Sequence, residues 1–110
     1  MPHPGPAAAR LTLYLDGTTL YHHRPAYAEI VHRAHRDGLA GATVLHGTLG
    51  FGADGQPGGG RKGPYAVLIV DDERRLRAFL DSIEDVLEPT AALVVLDPVR
   101  VHGPGHRSAY

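Results

Sequence analysis

At 110 residues and 43% hydrophobic content, the chain suits one globular domain and is too apolar for wholesale disorder. A formal net charge of -1 removes the electrostatic case for nucleic acid, and the absence of cysteine removes a disulfide framework, a thiolate nucleophile and a cysteine-based zinc site. No apolar run approaches the roughly 20 residues that span a bilayer, and Ala7-Ala8-Ala9 is too short for a leader core, so a cytoplasmic protein that is not membrane-inserted is expected.

Residues 1–9 read as a disordered tail, because Pro2, Pro4, Gly5 and Pro6 interrupt any regular element. The domain is expected over 10–102. From Leu11 the chain alternates, with Leu11, Leu13 and Leu15 on one side and Thr12, Tyr14 and Asp16 on the other, and this predicts a strand that ends at Asp16-Gly17. Pro25 suits the first turn of a helix in which Tyr27, Ile30, Val31 and Ala34 recur at helical spacing and which Gly38 stops. Ala42 to Phe51 reads as the second strand, with Gly47 and Gly50 inside it and Gly52 just beyond marking bulges or a close backbone approach. The 53–63 segment holds five glycines and a proline and reads as a flexible loop; its Gly58-Gly59-Gly60-Arg61-Lys62 lacks the spacing of a phosphate loop.

Tyr65 to Val70 predicts a third strand, apolar on both faces. Asp71 or Asp72 is expected to cap a second helix, whose Leu76, Phe79, Leu80, Ile83, Val86 and Leu87 form a core stripe until Pro89-Thr90 breaks it. Ala91 to Leu96 reads as the fourth strand, with Pro98 allowing only a bent or edge continuation through Val99 and Val101; 103–110 reads as a loose tail. The order strand, helix, strand, strand, helix, strand implies an α+β, ferredoxin-like βαββαβ fold, an antiparallel sheet with both helices on one face. Two helices cannot cover the other face, and strands apolar on both sides imply a symmetric oligomer whose sheets face inward.

Three segments together, His22-His23-Arg24-Pro25-Ala26-Tyr27, Gly38-Leu39-Ala40-Gly41-Ala42-Thr43-Val44-Leu45-His46-Gly47 and Gly50-Phe51-Gly52, resemble the PII-like family known as domain of unknown function 190. The resemblance covers Leu11 to Val101. It implies a PII-like homotrimer built on sheet faces and a surface loop between the second and third strands. It also implies effectors such as adenine nucleotides in clefts between subunits, and membrane transporters or enzymes as loop partners. Two departures stand out. The segment after Gly52 is short and glycine-rich rather than long, basic and hydroxyl-rich, and Leu87-Glu88-Pro89-Thr90-Ala91 stands where true PII proteins carry a Gly-Asp-Gly-Lys phosphate loop.

On that resemblance His22 occupies a matching motif position, where it either caps the helix entrance or touches ligand. Gly47, Gly50 and Gly52 either bring bare N–H groups to an anion or let the strand curl. Arg100, alternating with His102 along the end of the last strand, either meets a phosphate in a neighbour's cleft or serves as an edge charge. The ligand-binding candidates are His22, Arg24, His46, Gly47, Gly50, Gly52 and Arg100. His32 and His35, three apart on one helix, read as a solvated face; the alternative is a metal-binding trimer resembling CutA that uses His22, His23, His32 or His35. Ser82 lies on a polar helix side, and no Ser–His–Asp or paired-carboxylate pattern accompanies it, so a non-catalytic protein is expected. The leading expectation is a trimeric regulator that senses a small effector and signals through its loop; a ligand-independent interaction module is the other alternative.

Overall fold

The alternation in the first strand organises the molecule. The computed structural model describes residues 7–47, 49–51, 57–59 and 63–102. Strand β1 (Ala8–Asp16) puts Ala9, Leu11, Leu13 and Leu15 on a buried face and Arg10 and Tyr14 on the other. It begins before Leu11: Ala8 and Ala9, expected in the tail, are buried strand residues, and no proline falls within the strand to interrupt its ladder. Residues 1–6 and the expected tail at 103–110 lie outside the described residues.

A small hairpin follows, β2 (Leu20–Tyr21) against β3 (Arg24–Pro25), which leads directly into α1 (Ala26–Arg36). Pro25 is the N-cap residue rather than the first helical one, and Gly38, at φ 73, closes the helix end in the left-handed region that suits glycine. The expected second strand is two elements, β4 (Ala42–His46) and β5 (Leu49–Phe51). The expected structureless loop contains a strand, β6 (Pro57–Gly59), paired antiparallel with β5, so its glycines do not prevent a ladder there.

β7 (Pro64–Asp72) is followed at once by α2 (Glu73–Ser82). Neither aspartate caps α2 through its side chain. Asp71 is turned inward, accepting N–H bonds from Ala40 (2.8 Å) and Asp72 (2.7 Å) and a bond from Arg75 (3.2 Å). The Glu73 N–H donates instead to the Ala7 carbonyl. The second helix is not continuous: it stops at Ile83, resumes as α3 (Glu84–Leu87) and runs into a 3₁₀ turn over Glu88–Thr90. Ala91, expected to open the last strand, has φ 51, and β8 (Leu93–Pro98) starts two residues later.

The main sheet has four strands in the order β4-β7-β1-β8, all neighbours antiparallel, which is the ferredoxin-like arrangement. Register fixes its two faces. Leu11, Leu13, Val67 and Ile69 lie under the helices with Ile30, Ala34, Leu76, Phe79, Ile83 and Val86. The opposite face carries Leu45, Ala66, Leu68, Tyr14, Leu93 and Val95, with Leu45 and Leu93 each 54% and Tyr14 46% exposed. An Arg10–Asp97 ion pair (3.2 Å) sits at one margin of that face. Among the described residues no helix is long and apolar enough to cross a membrane.

Leu76 is fully buried between α2 and the sheet. Leu76→Ala is expected to lower stability by about 2–5 kcal/mol through lost burial and a residual cavity, read as a shifted urea midpoint at unchanged slope.

Candidate functional site at the His46 end of the sheet

Strand register places several chain segments at one end of the sheet. β1 ends there at Asp16, opposite Pro64; β4 ends there at His46, opposite Tyr65; β8 begins there at Leu93, opposite Tyr14. The β2–β3 hairpin leads into α1 at this same end, and the β5–β6 ribbon follows β4 just beyond it.

The hairpin turn is made by His22 (φ 49) and His23 (φ 70), two exposed non-glycine residues in the left-handed region. Positive φ at both central positions is the signature of a type I′ turn, which matches the twist of the flanking strands but normally draws asparagine and glycine. Each such residue costs of order 1–3 kcal/mol, so the surroundings must hold the turn. Tyr21 supplies part of that hold, with its ring edge-on to His22 at 4.4 Å.

Tyr21 is in turn fastened by Arg33 of α1. The guanidinium donates to both oxygens of Asp85 (2.8 and 3.0 Å), to Glu29 (2.9 Å), to the Tyr21 hydroxyl (3.0 Å) and to the Ser82 carbonyl (3.2 Å). The Tyr21 hydroxyl donates to Asp85 at 2.8 Å. Arg33 thus ties α1, the α2–α3 break and the hairpin together, and it captures the Ser82 carbonyl near the end of α2. These bonds hold the Asp85 carboxyl well below the usual carboxylate range and lower Glu29 as well, each chiefly through its bond with Arg33. They raise Arg33 further above its already high value and raise Tyr21 through its bond to Asp85.

A second construction uses aromatic rings. Tyr27 from the first turn of α1 stacks on Tyr65 at 4.2 Å and 13°, and Tyr65 stacks on His46 at 4.2 Å and 7°. His46 is exposed on the edge strand. Just past it, the Gly47 N–H donates to the Pro64 carbonyl at 2.8 Å, extending the β4–β7 ladder. A Cβ on Gly47 would lie 2.9 Å from the Pro64 ring, so a close approach explains this glycine without a ligand.

The sequence-derived candidates therefore divide. His22, Arg24, His46 and Gly47 lie at this end, with Arg24 paired to Glu29 at 3.2 Å. Gly50 faces Gly58 across the β5–β6 ribbon, and Gly52 lies outside the described residues. Arg100 is at the opposite end of the sheet: β8 stops at Pro98, and the Val99 N–H bonds to the Ala8 carbonyl. Arg100 and His102 follow the strand rather than alternating along it, because the ladder with β1 ends at the Ala9–Pro98 pair. His32 and His35 are both exposed on α1, and among the described residues no three histidine, aspartate or glutamate side chains are grouped to hold a metal ion. Arg33, Tyr21, Asp85, Tyr27 and Tyr65 were not among the candidates.

The model of the DUF190 family, described as uncharacterized ACR, COG1993, matches residues 8–101. No curated protein matches the chain. Among solved structures, CPII, a nitrogen regulatory PII-like protein from Thiomonas intermedia K12 bound to ADP, AMP and bicarbonate, is similar at 18% identity and a TM-score of 0.64 over 86% of this chain and 94% of that one. The same protein bound to ADP and bicarbonate is similar at 19% identity and a TM-score of 0.64, over 88% of this chain and 90% of that one. At this identity the likeness establishes the PII-like fold.

The Arg33 network has a pH consequence. Asp85 and Glu29 bind protons less readily in the folded chain than when unfolded, so their contribution is complete above about pH 5 and is lost as pH falls through about 4 and below. Asp85→Asn should be less stable than wild type at neutral pH and should lose less on acidification, read from urea midpoints between about pH 7 and about pH 3. Equal acid slopes for both proteins would count against the network.

Proposed function

We infer that this chain, which belongs to the DUF190 family, is a non-catalytic PII-like regulatory protein: a closed trimer whose subunit clefts bind a small effector, an adenine nucleotide first among the candidates. The observation that carries this reading is the open sheet face. Leu45, Leu93, Tyr14 and Val95 are exposed on it in a single chain, beside Ala66 and Leu68. Burying each such aliphatic side chain contributes about 1.5–3 kcal/mol, so a handful per subunit favours association even after its entropic cost. Packing these faces together leaves the sheet ends, with His46 on one edge, lining crevices between copies. The similar Thiomonas protein is bound to ADP, AMP and bicarbonate, which makes those ligands the first to try.

The β5–β6 ribbon beyond Gly47 is the element that would report occupancy to a partner, a membrane transporter or an enzyme, in the cytoplasm. Ligand binding acts on it by population shift, favouring the ribbon arrangement that fits the bound state. The arrangement of Glu29 and Asp85 supports a non-catalytic reading, because both carboxylates are engaged by Arg33 and serve the scaffold.

Sedimentation of the purified protein at micromolar concentration is expected to give three times the subunit mass, and Leu45→Asp combined with Leu93→Asp to give folded monomer. Calorimetric titration of the trimer with AMP, ADP, ATP and cyclic AMP, with and without bicarbonate, is expected to show binding of at least one nucleotide, and binding should be lost in the monomeric variant. A well-behaved wild-type monomer would remove the crevice and the sensor role with it.

A further inference from the structure

We propose that Arg10 and Asp97 make the polar contact between copies of this chain: Arg10 of each copy binds Asp97 of the next and so fixes how the open sheet faces dock. The inference rests on the oligomer reading above and names the residues that select its packing.

Both side chains lie on the open face, directly opposed across the β1–β8 ladder. Arg10 is the only lysine or arginine in the four strands of the main sheet, so that sheet offers one fixed cation, with Val70 opposite it on β7 and Thr12 and Val95 in the next row. Within one copy the pair is half made. Arg10 Nη2 donates to Asp97 Oδ2 at 3.2 Å, while Asp97 Oδ1 is shielded from solvent and meets no donor among the described residues. A guanidinium carries five N–H donors in a fixed fork, far more than this one bond uses. Of the two side chains, 45% and 39% remain exposed. Each residue therefore holds unused capacity of the kind the other supplies.

Docking of the open faces changes the balance for both. An exposed ion pair contributes little, but a neighbour packed against this face removes its water, and a guanidinium stripped of water needs acceptors. The neighbour's identical face brings an aspartate with an unserved oxygen. The last torsion of an aspartate is broad and two-fold, so a modest rotation shares the carboxylate between its own Arg10 and the incoming one. In a closed ring each copy gives one guanidinium forward and receives one from behind, which leaves no charge unmatched. Apolar contact is non-directional and tolerates many arrangements. One that sets Arg10 against a neighbour's Leu45 or Val95 strands a buried charge, so the pair selects one docking and rejects the rest.

Sedimentation of the full chain over a concentration series tests this with Arg10→Ala, Asp97→Ala, the two together, and Arg10→Asp combined with Asp97→Arg. Each single truncation is expected to weaken assembly by about 30-fold or more, from the lower end of the range for truncating one member of a buried charge pair. The double truncation should be no weaker than either single one, and the exchanged pair should recover most of the affinity. In the monomeric Leu45→Asp, Leu93→Asp variant, adding Arg10→Ala should barely move the urea midpoint, because within one copy the pair is exposed. Assembly unchanged by both single truncations overturns the contact and leaves the oligomer standing. A monomer destabilised as much as assembly is weakened also overturns it, by assigning the pair to the fold of one copy. A wild-type chain that stays monomeric overturns the oligomer reading and the contact together.

Discussion

A sheet has two faces, and the described helices cover only one. That imbalance governs the rest of the molecule. Leu11, Leu13, Val67 and Ile69 are satisfied beneath α1 and α2, while the sheet turns Leu45, Leu68, Tyr14 and Val95 to its other side. A change of register cannot bury that second set, because a one-residue slip would exchange the two sets wholesale. The covered face makes the domain stable. The uncovered one gives it a reason to associate, and any cleft between copies inherits its geometry from where the strands end.

The helical layer depends on one guanidinium. Arg33 meets Asp85, Glu29, the Tyr21 hydroxyl and a helix-end carbonyl with an 11% exposed side chain, and it lies beside the Tyr21 ring at 5.2 Å. Breaking α2 at Ile83 is tolerable because the Ser82 carbonyl finds Arg33, and the hairpin can keep a left-handed pair of histidines because Tyr21 is anchored. Arginine suits this post through its planar fork and fixed charge; lysine could not serve so many acceptors at once. The strained turn and the scaffold are thus mechanically one unit, and His22 takes its position from a residue eleven places later in the chain.

Much of this was legible in local patterns and some of it was not. The period-two run from Leu11 to Leu15 and the doubly apolar stretch from Tyr65 to Val70 revealed the two central strands, and from them the α+β order and the open face. The β2–β3 hairpin was hidden because its turn is His-His where Asn-Gly would have announced it. The break in the second helix was hidden because Leu76, Phe79, Ile83 and Val86 keep helical spacing straight through it. Arg33 sits in a run of exposed histidines and arginines that reads as solvated surface, and only its distant partners distinguish it. His46 was singled out from a motif, but its stacking on Tyr65, which Tyr27 covers in turn, depends on the β4–β7 pairing and on the placement of α1, which spacing cannot encode. Arg100 falls past the last strand for a related reason: the end of a strand is decided by where its partner stops.

β1 precedes the other described elements in the chain and lies between β7 and β8 in the main sheet. Both partners lie in the second half of the sequence, β7 over Pro64–Asp72 and β8 over Leu93–Pro98, so this apolar strand has no partner of its own sheet until β7 has followed it. Its contacts are long-range, which slows the search for the native arrangement and lengthens the interval in which the strand can pair with the wrong neighbour. Newly made copies in a crowded polysome carry the same unpaired ribbon. Partial chains that carry β1 without β7 or β8 are therefore the ones most exposed to mispairing.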